Sequence, residues 1–167
     1  AEDGIRDKLV TGVQTCALPI FGNPIAHSKS PLIHAAFARE TGEDIAYERL
    51  LAPLDAFAPT VLAFRSAGGR GVNVTVPFKG EAHALATGLA PRARAAGAAN
   101  TLKFDGMDIL ADNTDGVGIV RDIEDNLGVA IAGRRLLMVG AGGAAQGVLL
   151  PLIERGPTCL VVANRTA

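Results

Sequence analysis

A lysine and an aspartate supply the groups that proton transfer requires. Lys79 follows an apolar segment at the end of a predicted strand, and Asp115 lies in the polar run 112–116. An ammonium beside a carboxylate can act as an acid–base pair once its pKa is suitably shifted. We therefore expect Lys79 and Asp115 to be catalytic. The alternative for Asp115 is a helix cap, since an aspartate suits that position before the next predicted helix.

Hydroxyl and amide side chains occur at the ends of other predicted elements. Ser28 and Ser30 precede a helix, Asn73 and Thr75 share one face of a strand, and Asn100 begins a hairpin. Ligands of parallel α/β sheets bind beyond the carboxyl ends of the strands, so these residues are expected to converge on one small, hydroxyl-rich molecule. For Ser30, a role as a helix cap is the alternative.

A glycine-rich turn follows an apolar strand near the carboxyl end and has the form G-x-G-x-x-A. Gly140 permits a tight turn, Gly142 lets the backbone approach a pyrophosphate, and Ala145 allows close packing of helix on strand. The amino terminus of the following helix favours a phosphate. The pattern predicts dinucleotide binding, with a purely structural turn as the alternative. The predicted cofactor residues are Gly140, Ala141, Gly142, Gly143, Ala144, Asn164, Arg165 and Thr166.

The end of the next strand favours NADP over NAD. NAD-selective folds carry an acidic residue there, which accepts a hydrogen bond from the ribose 2′-hydroxyl. This chain has Asn164, Arg165 and Thr166 instead, and a guanidinium pairs well with a 2′-phosphate. The alternative for Arg165 is a solvated surface charge.

Composition indicates a small-molecule partner. The 167 residues carry a formal net charge of -1, which gives no global positive field for nucleic acid or an anionic membrane. Two cysteines suit a reducing compartment, and we expect a cytoplasmic protein with no membrane segment. No metal is expected, because His27, His34 and His83 lack ligand spacing.

Helix and strand signals alternate, which predicts an α/β fold with a mostly parallel sheet. The apolar runs near the carboxyl end are expected to be buried strands. Predicted helices cover residues 30–42, 57–67, 79–87, 91–97, 116–127 and 143–155, and predicted strands cover 45–51, 71–76, 100–104, 107–111, 135–139 and 159–163.

Residues 1–20 resemble the translation of a short-read sequencing primer, with Lys8 and Leu9 in its index slot. We expect this segment to be an artefact that has overwritten the strand entering Gly22. The predicted organisation is an artefactual segment 1–20, a substrate-binding catalytic domain 21–115, a connecting helix and linker 116–133, and the first β-α-β of a Rossmann domain, 134–167.

A series of motifs from Gly22 onwards resembles the shikimate dehydrogenase family. The motifs are Gly22-Asn23-Pro24-Ile25 with Ser28-Lys29-Ser30-Pro31, Asn73-Val74-Thr75-Val76-Pro77-Phe78-Lys79, Ala98-Ala99-Asn100-Thr101, Asp112-Asn113-Thr114-Asp115-Gly116, Gly140-Ala141-Gly142-Gly143-Ala144 and Asn164-Arg165-Thr166.

The resemblance implies an oxidoreductase of aromatic amino-acid biosynthesis that reduces the ketone of 3-dehydroshikimate to shikimate with NADPH. It also implies a role for each polar residue. Ser28 and Ser30 would hold the substrate carboxylate, Asn73, Thr75, Asn100 and Asp115 would hold ring hydroxyls, and Lys79 would be the acid–base group paired with Asp115.

Two other functions stay open at this stage. One is a quinate/shikimate dehydrogenase that uses NAD(P), and the other is a non-catalytic sugar-acid-binding module. A full dinucleotide-binding domain has two βαβαβ halves, so we expect the 167-residue polypeptide itself to be inactive. The sequence also leaves open whether the protein is a homodimer.

Overall fold

The computed structural model describes residues 16–165, which form two α/β units. Residues 1–15 of the primer-like segment and the predicted cofactor residue Thr166 lie outside the described residues. The strands are β1 (Cys16–Gly22), β2 (Ile45–Leu51), β3 (Gly71–Val74), β4 (Gly88–Leu89), β5 (Thr101–Asp105), β6 (Asp108–Asp112), β7 (Arg135–Val139) and β8 (Cys159–Ala163). The α-helices are α1 (Ser30–Thr41), α2 (Phe57–Ser66), α3 (Lys79–Leu85), α4 (Pro91–Ala96), α5 (Asp115–Arg121) and α6 (Gly143–Glu154).

The first unit is built on a six-stranded sheet with the order β2-β1-β3-β5-β6-β4. Strand β1 runs parallel to both β2 and β3, and β4 runs parallel to β6. The hairpin β5–β6 pairs antiparallel within itself, and β5 pairs antiparallel with β3. This confirms the predicted α/β fold with a mostly parallel sheet.

Strand β1 occupies the segment that was expected to have lost its strand. Ile20 pairs with Asn73 and Phe21 with Val74, which places the segment inside the sheet. Phe21 is completely buried, so the apolar residues of this segment serve as a real strand and the expectation of a missing one is wrong. Pairing uses only backbone groups, and any segment whose buried positions carry apolar side chains satisfies it.

Aromatic rings form much of the core below this sheet and anchor the start of α3. Phe57 and Phe78 stack with their ring centroids 4.8 Å apart, and Phe21 meets Phe57 edge to face at 6.4 Å. Phe78 is fully buried and directly precedes Lys79, the first residue of α3. The packing of Phe78 therefore fixes the backbone position from which the Lys79 side chain extends.

The second unit is a β-α-β in which β7 and β8 pair in parallel and α6 connects them. This confirms the predicted opening of a Rossmann domain. The prediction that both strands are buried is wrong: Leu137 is 67% exposed and Val139 is 83% exposed. Two strands covered by one helix, as the described residues form them, leave a sheet face open to solvent.

Several boundaries differ from the prediction. The strand predicted over 71–76 ends at Val74, and the chain then turns, with the carbonyl of Thr75 accepting from the N–H of Phe78. The helix predicted over 116–127 is α5, continued by a π-helical turn over Asp122–Asn126. Of the helices within residues 16–165, none combines the length and apolar character of a membrane span.

Candidate active site

The structure brings Lys79 and Asp115 into direct contact. Lys79 Nζ donates to Asp115 Oδ2 over 2.6 Å, and the two side chains are 11% and 27% exposed. Lys79 lies at the start of α3 and Asp115 at the start of α5, so two helix ends meet here. An ammonium and a carboxylate with little solvent access are placed to exchange protons with a bound molecule.

Asp115 does not use its carboxylate as a helix cap. Its Oδ1 accepts a hydrogen bond from Asn100 Nδ2 over 2.7 Å, while its Oδ2 is engaged by Lys79. The residue before α5 is Thr114, which makes no side-chain cap hydrogen bond. Both carboxylate oxygens therefore face the neighbouring polar side chains, as the acid–base prediction requires.

Ser28 and Ser30 form a pair in front of α1. Ser28 Oγ donates to Ser30 Oγ over 3.1 Å, and the N–H of Ser30 donates to Ser28 Oγ over 3.3 Å. Helix α1 has no side-chain cap, so Ser30 does not serve the alternative role as a cap. Arg49 Nε on β2 donates to the carbonyl of Ser28 over 2.7 Å and fixes the loop that carries the pair.

A continuous polar network connects the serine pair to the lysine. Tyr47 on β2 hydrogen-bonds with Ser30, and its hydroxyl donates to Asn73 Oδ1 over 2.8 Å. Asn73 Nδ2 donates to Thr101 Oγ1 over 3.3 Å, and Thr101 Oγ1 donates to Asn100 Oδ1 over 3.0 Å. Predicted residues from four separate segments thus line one polar surface that ends at the acid–base pair.

Thr75 stands apart from this network. It follows β3 instead of lying within it, so it does not share a strand face with Asn73 as predicted. Its N–H pairs with the carbonyl of Phe21 over 2.9 Å, and its carbonyl accepts from the N–H of Phe78 over 3.0 Å. These contacts fix the turn between β3 and Lys79, and Thr75 is half-buried beside it.

Tyr47 and His34 adjoin the polar network, although neither was a predicted site residue. Burial raises the pKa of Tyr47 to about 12, so the phenol stays a hydrogen-bond donor. The ring of His34 stacks on Tyr47 with centroids 3.9 Å apart, and burial lowers the pKa of His34. One signal was available: Tyr47 is the only tyrosine of the chain, and in the sequence it lies in a predicted strand between the segments that carry Ser30 and Asn73.

The glycine turn after β7 fits the pyrophosphate of a dinucleotide. Gly140 has φ of +105°, a conformation that favours glycine. A Cβ at Gly140 or Gly142 would meet no atom within 4 Å, so both positions border open space where a phosphate can approach. Helix α6 starts at Gly143 without a side-chain cap, which leaves the N–H groups of its first turn available. Ala141 and Ala144 are exposed at this turn.

The same helix end contacts the acid–base pair. A Cβ at Gly143 would lie 3.6 Å from Lys79 Cβ and 3.9 Å from Lys79 Cδ. The predicted phosphate-binding turn and the lysine therefore lie in one region of the molecule.

The predicted 2′-phosphate residues follow β8 on the exposed side of this turn. Ala163, the last residue of β8, accepts a hydrogen bond from the N–H of Gly140 over 2.7 Å, so the two turns are adjacent. Asn164 and Arg165 come next and are both exposed. An exposed guanidinium beside the glycine turn is available to a 2′-phosphate.

Comparisons with known proteins match most of this chain to shikimate dehydrogenases. Residues 20–102 match the family described as shikimate dehydrogenase substrate binding domain. A curated relative, shikimate dehydrogenase (NADP(+)) of Nitrosospira multiformis, is 63% identical over 147 residues, which is 88% of this chain and 54% of the relative. The chain thus spans about half the length of the curated relatives that it matches.

Solved structures agree with this similarity. An Ael1 enzyme from Pseudomonas putida superposes with a TM-score of 0.83 at 49% identity, over 90% of this chain and 55% of that chain. Shikimate 5-dehydrogenase of Thermus thermophilus, solved in complex with NADP(H) and shikimate, gives a TM-score of 0.82 at 34% identity, over 90% and 56% of the two chains.

Proposed function

Because the chain belongs to the shikimate dehydrogenase family, we propose that its polar site binds 3-dehydroshikimate and shikimate for an NADPH-dependent reduction. The observation that carries the proposal is the 2.6 Å contact between Lys79 and Asp115 at one end of the polar network. That contact lies beside Gly143, at the start of the helix that follows the glycine turn. This region of the molecule thereby combines acid–base groups, hydroxyl-binding groups and a phosphate-binding turn.

The two ends of the network suit the two ends of the substrate. Ser28 and Ser30 offer hydroxyl donors, and the Arg49 guanidinium behind their loop adds positive charge, which suits a carboxylate. Asn73 and Asn100 offer amide groups that bind ring hydroxyls, and Thr75 is assigned the same role from its place after β3. A ring carboxylic acid with several hydroxyls therefore fits the order of these groups.

Lys79 is proposed as the proton donor of the reaction. NADPH, when bound, supplies the hydride that reduces the carbonyl carbon of the substrate. Negative charge that develops on the carbonyl oxygen is stabilised by the Lys79 ammonium, which donates its proton to that oxygen and becomes a neutral amine. Asp115 orients the amine, and solvent can return the proton through the 11% of the Lys79 side chain that is exposed.

The cofactor is proposed to be held by the turn that follows β7. Backbone N–H groups of Gly142, Gly143 and Ala144 would bind the pyrophosphate, and Gly140 and Ala141 would shape the approach. Asn164, Arg165 and Thr166 are proposed to bind the 2′-phosphate, with Arg165 the main determinant of NADP over NAD. The domain limits given above, a cytoplasmic location and a homodimer stay predictions.

Two measurements test the proposal at separate points. Isothermal titration of the 167-residue polypeptide with shikimate should show binding, and Asn100→Ala should weaken it. Thr60→Ala is the control, because the Thr60 hydroxyl donates to the carbonyl of Ala56, the residue just before α2. Activity is tested in a chimera that joins residues 22–165 to the remaining carboxyl-terminal half of the Nitrosospira multiformis relative, with the relative's own first strand. The chimera should oxidise NADPH with 3-dehydroshikimate, whereas the 167-residue polypeptide should not.

The competing functions give different results in the same assays. A quinate/shikimate dehydrogenase would turn over quinate, or use NADH, at rates comparable with shikimate and NADPH in the chimera. A sugar-acid-binding module would bind shikimate and leave NADPH unoxidised in both proteins. Failure of the 167-residue polypeptide to bind shikimate would contradict the substrate assignment itself.

A further inference from the structure

Asn113 is the most deeply buried polar side chain in the described part of the chain, at 1% exposure, and the reaction above gives it no role. We propose that Asn113 is a positioning residue that sets Asp115 against Lys79 and is itself held in place by Gly147 of α6. This inference rests on the proposed function, because it assigns the placement of the acid–base pair.

Both ends of the Asn113 amide are committed to backbone groups. Nδ2 donates to the carbonyl of Ala98 over 3.0 Å, and Oδ1 accepts from the N–H of Asp115 over 3.2 Å. An amide has distinct donor and acceptor ends, so these two bonds fix its orientation. Asn113 therefore ties the loop before Asn100 to the first residue of α5.

The bond to Asp115 acts where the helix provides no substitute. Asp115 is the first residue of α5, and the first N–H groups of a helix have no acceptor within the helix. Asn113 Oδ1 supplies that acceptor and so fixes the backbone from which the Asp115 carboxylate extends. A carboxylate attached to a fixed backbone holds the 2.6 Å contact with Lys79 at little cost in conformational entropy.

Helix α6 packs directly on this amide. A Cβ at Gly147 would lie 2.7 Å from Asn113 Nδ2 and 2.8 Å from Oδ1, closer than side chains approach one another. Gly147 is therefore needed as a glycine because the Asn113 amide occupies the space next to it. The contact prevents the amide from moving away from Asp115 in the direction of α6.

One face of α6 contacts each part of the arrangement in turn. Residues 143, 147 and 151 are four apart and lie on the same face of the helix. Gly143 faces Lys79, Gly147 faces Asn113, and Pro151 Cγ would lie 2.4 Å from a Cβ at Gly116 of α5. A shift of α6 would therefore disturb the lysine and the support of the aspartate together.

Amide exchange at Asp115, followed by NMR on the 167-residue polypeptide without ligand, reports the Asn113 bond directly. Asn113→Ala removes the acceptor, and Gly147→Ala displaces the amide while keeping it. Gly118→Ala on α5 is the matched control, because a Cβ at Gly118 would meet no atom within 4 Å. Exchange at Asp115 should accelerate about tenfold or more in the first two variants and stay within about twofold in the control.

Shikimate affinity measured on the same samples gives the functional readout. It should fall about tenfold in Asn113→Ala and in Gly147→Ala and be unchanged in Gly118→Ala. The backbone amide of Leu102 in the core should stay protected from exchange in each variant, which shows that the fold is intact. If this protection is lost in Asn113→Ala, the test rests on Gly147→Ala alone. Unchanged exchange at Asp115 in Gly147→Ala, or unchanged affinity despite faster exchange, would overturn the proposal.

The two proposals fail in different ways. If the unsubstituted polypeptide does not bind shikimate, the proposed function fails, while exchange at Asp115 still shows whether Asn113 and Gly147 fix this backbone. If shikimate binds and Asp115 is insensitive to both substitutions, the proposed function stands and the positioning role of Asn113 is refuted.

Discussion

Replacing Lys79 by methionine in the chimera should abolish proton donation while keeping the packing of the side chain. The apolar stem of Lys79 lies against the start of α6, with its Cδ 3.9 Å from the Cβ position of Gly143. Methionine retains that stem and removes the ammonium, so the variant isolates the charge. Lys79→Ala would also open a gap beneath α6, and its effect would mix chemistry with packing.

The expected effect on turnover is much larger than the effect on substrate binding. A positioned general acid contributes about 10²- to 10⁴-fold, so kcat should fall by that factor. The ground state also loses the charge-assisted bond to Asp115, but that carboxylate is 27% exposed and keeps Asn100 as a donor. Water compensates in part, and KM should change by less than about tenfold.

Steady-state NADPH oxidation with 3-dehydroshikimate as the varied substrate separates the two effects. Lys79→Arg, which keeps a positive charge but cannot readily give up a proton, should restore KM without restoring kcat. A Lys79→Met variant that raises KM and leaves kcat near its original value would rule out Lys79 as the proton donor, because Lys79 would then bind substrate and transition state equally.

Three further outcomes follow from the geometry. Arg165→Ala in the chimera should raise KM for NADPH about tenfold or more and leave KM for NADH within about twofold, and equal losses would contradict the 2′-phosphate assignment. Burial lowers the pKa of His34 below its ordinary value of 6.5, so the folded state binds fewer protons and the free energy of unfolding should fall as pH drops through that value. Urea unfolding of the polypeptide at pH 7 and pH 5 should show a smaller fall in His34→Phe, and an equal fall would assign the pH dependence elsewhere. Phe78→Ala should lower the free energy of unfolding by about 3–5 kcal/mol, because Phe78 is fully buried. Phe37→Ala should lower it by less than about 1 kcal/mol, because Phe37 is 52% exposed. Similar losses in the two variants would mean that the Phe57–Phe78 stack does not anchor α3.

The sequence was sufficient for the elements and for most of the polar site. Apolar periodicity and Gly or Pro at element ends predicted β5, β6 and α6 to within a residue or two. Lys79, Asp115 and Asn100 were predicted to converge because each follows or begins an element, and the ends of adjacent strands meet in space; the structure brings their side chains into contact. The 2.6 Å contact depends on how the starts of α3 and α5 meet, and the 2.7 Å contact on how Asn100, just before β5, meets the start of α5. No local pattern encodes either meeting.

What the sequence could not predict depends on tertiary packing. Tyr47 looks like an ordinary strand residue until β2 is placed in the sheet and its hydroxyl reaches Asn73. Asn113 looks like one polar residue in a polar run, and its burial and the close approach of Gly147 on α6 become visible only in the folded chain. The exposure of Leu137 depends on how many layers cover β7, which its own apolar sequence does not specify.

Strand β1 joins β2 to β3 in the described sheet, and β2 has no other neighbour there. Trimming the first 21 residues as a contaminating adapter would therefore detach β2, and with it Tyr47 and the Arg49 support for the serine loop. A cleaned expression clone should not begin at Gly22. It needs a substitute stretch that restores the backbone ladder and fills the spaces taken by Ile20 and Phe21.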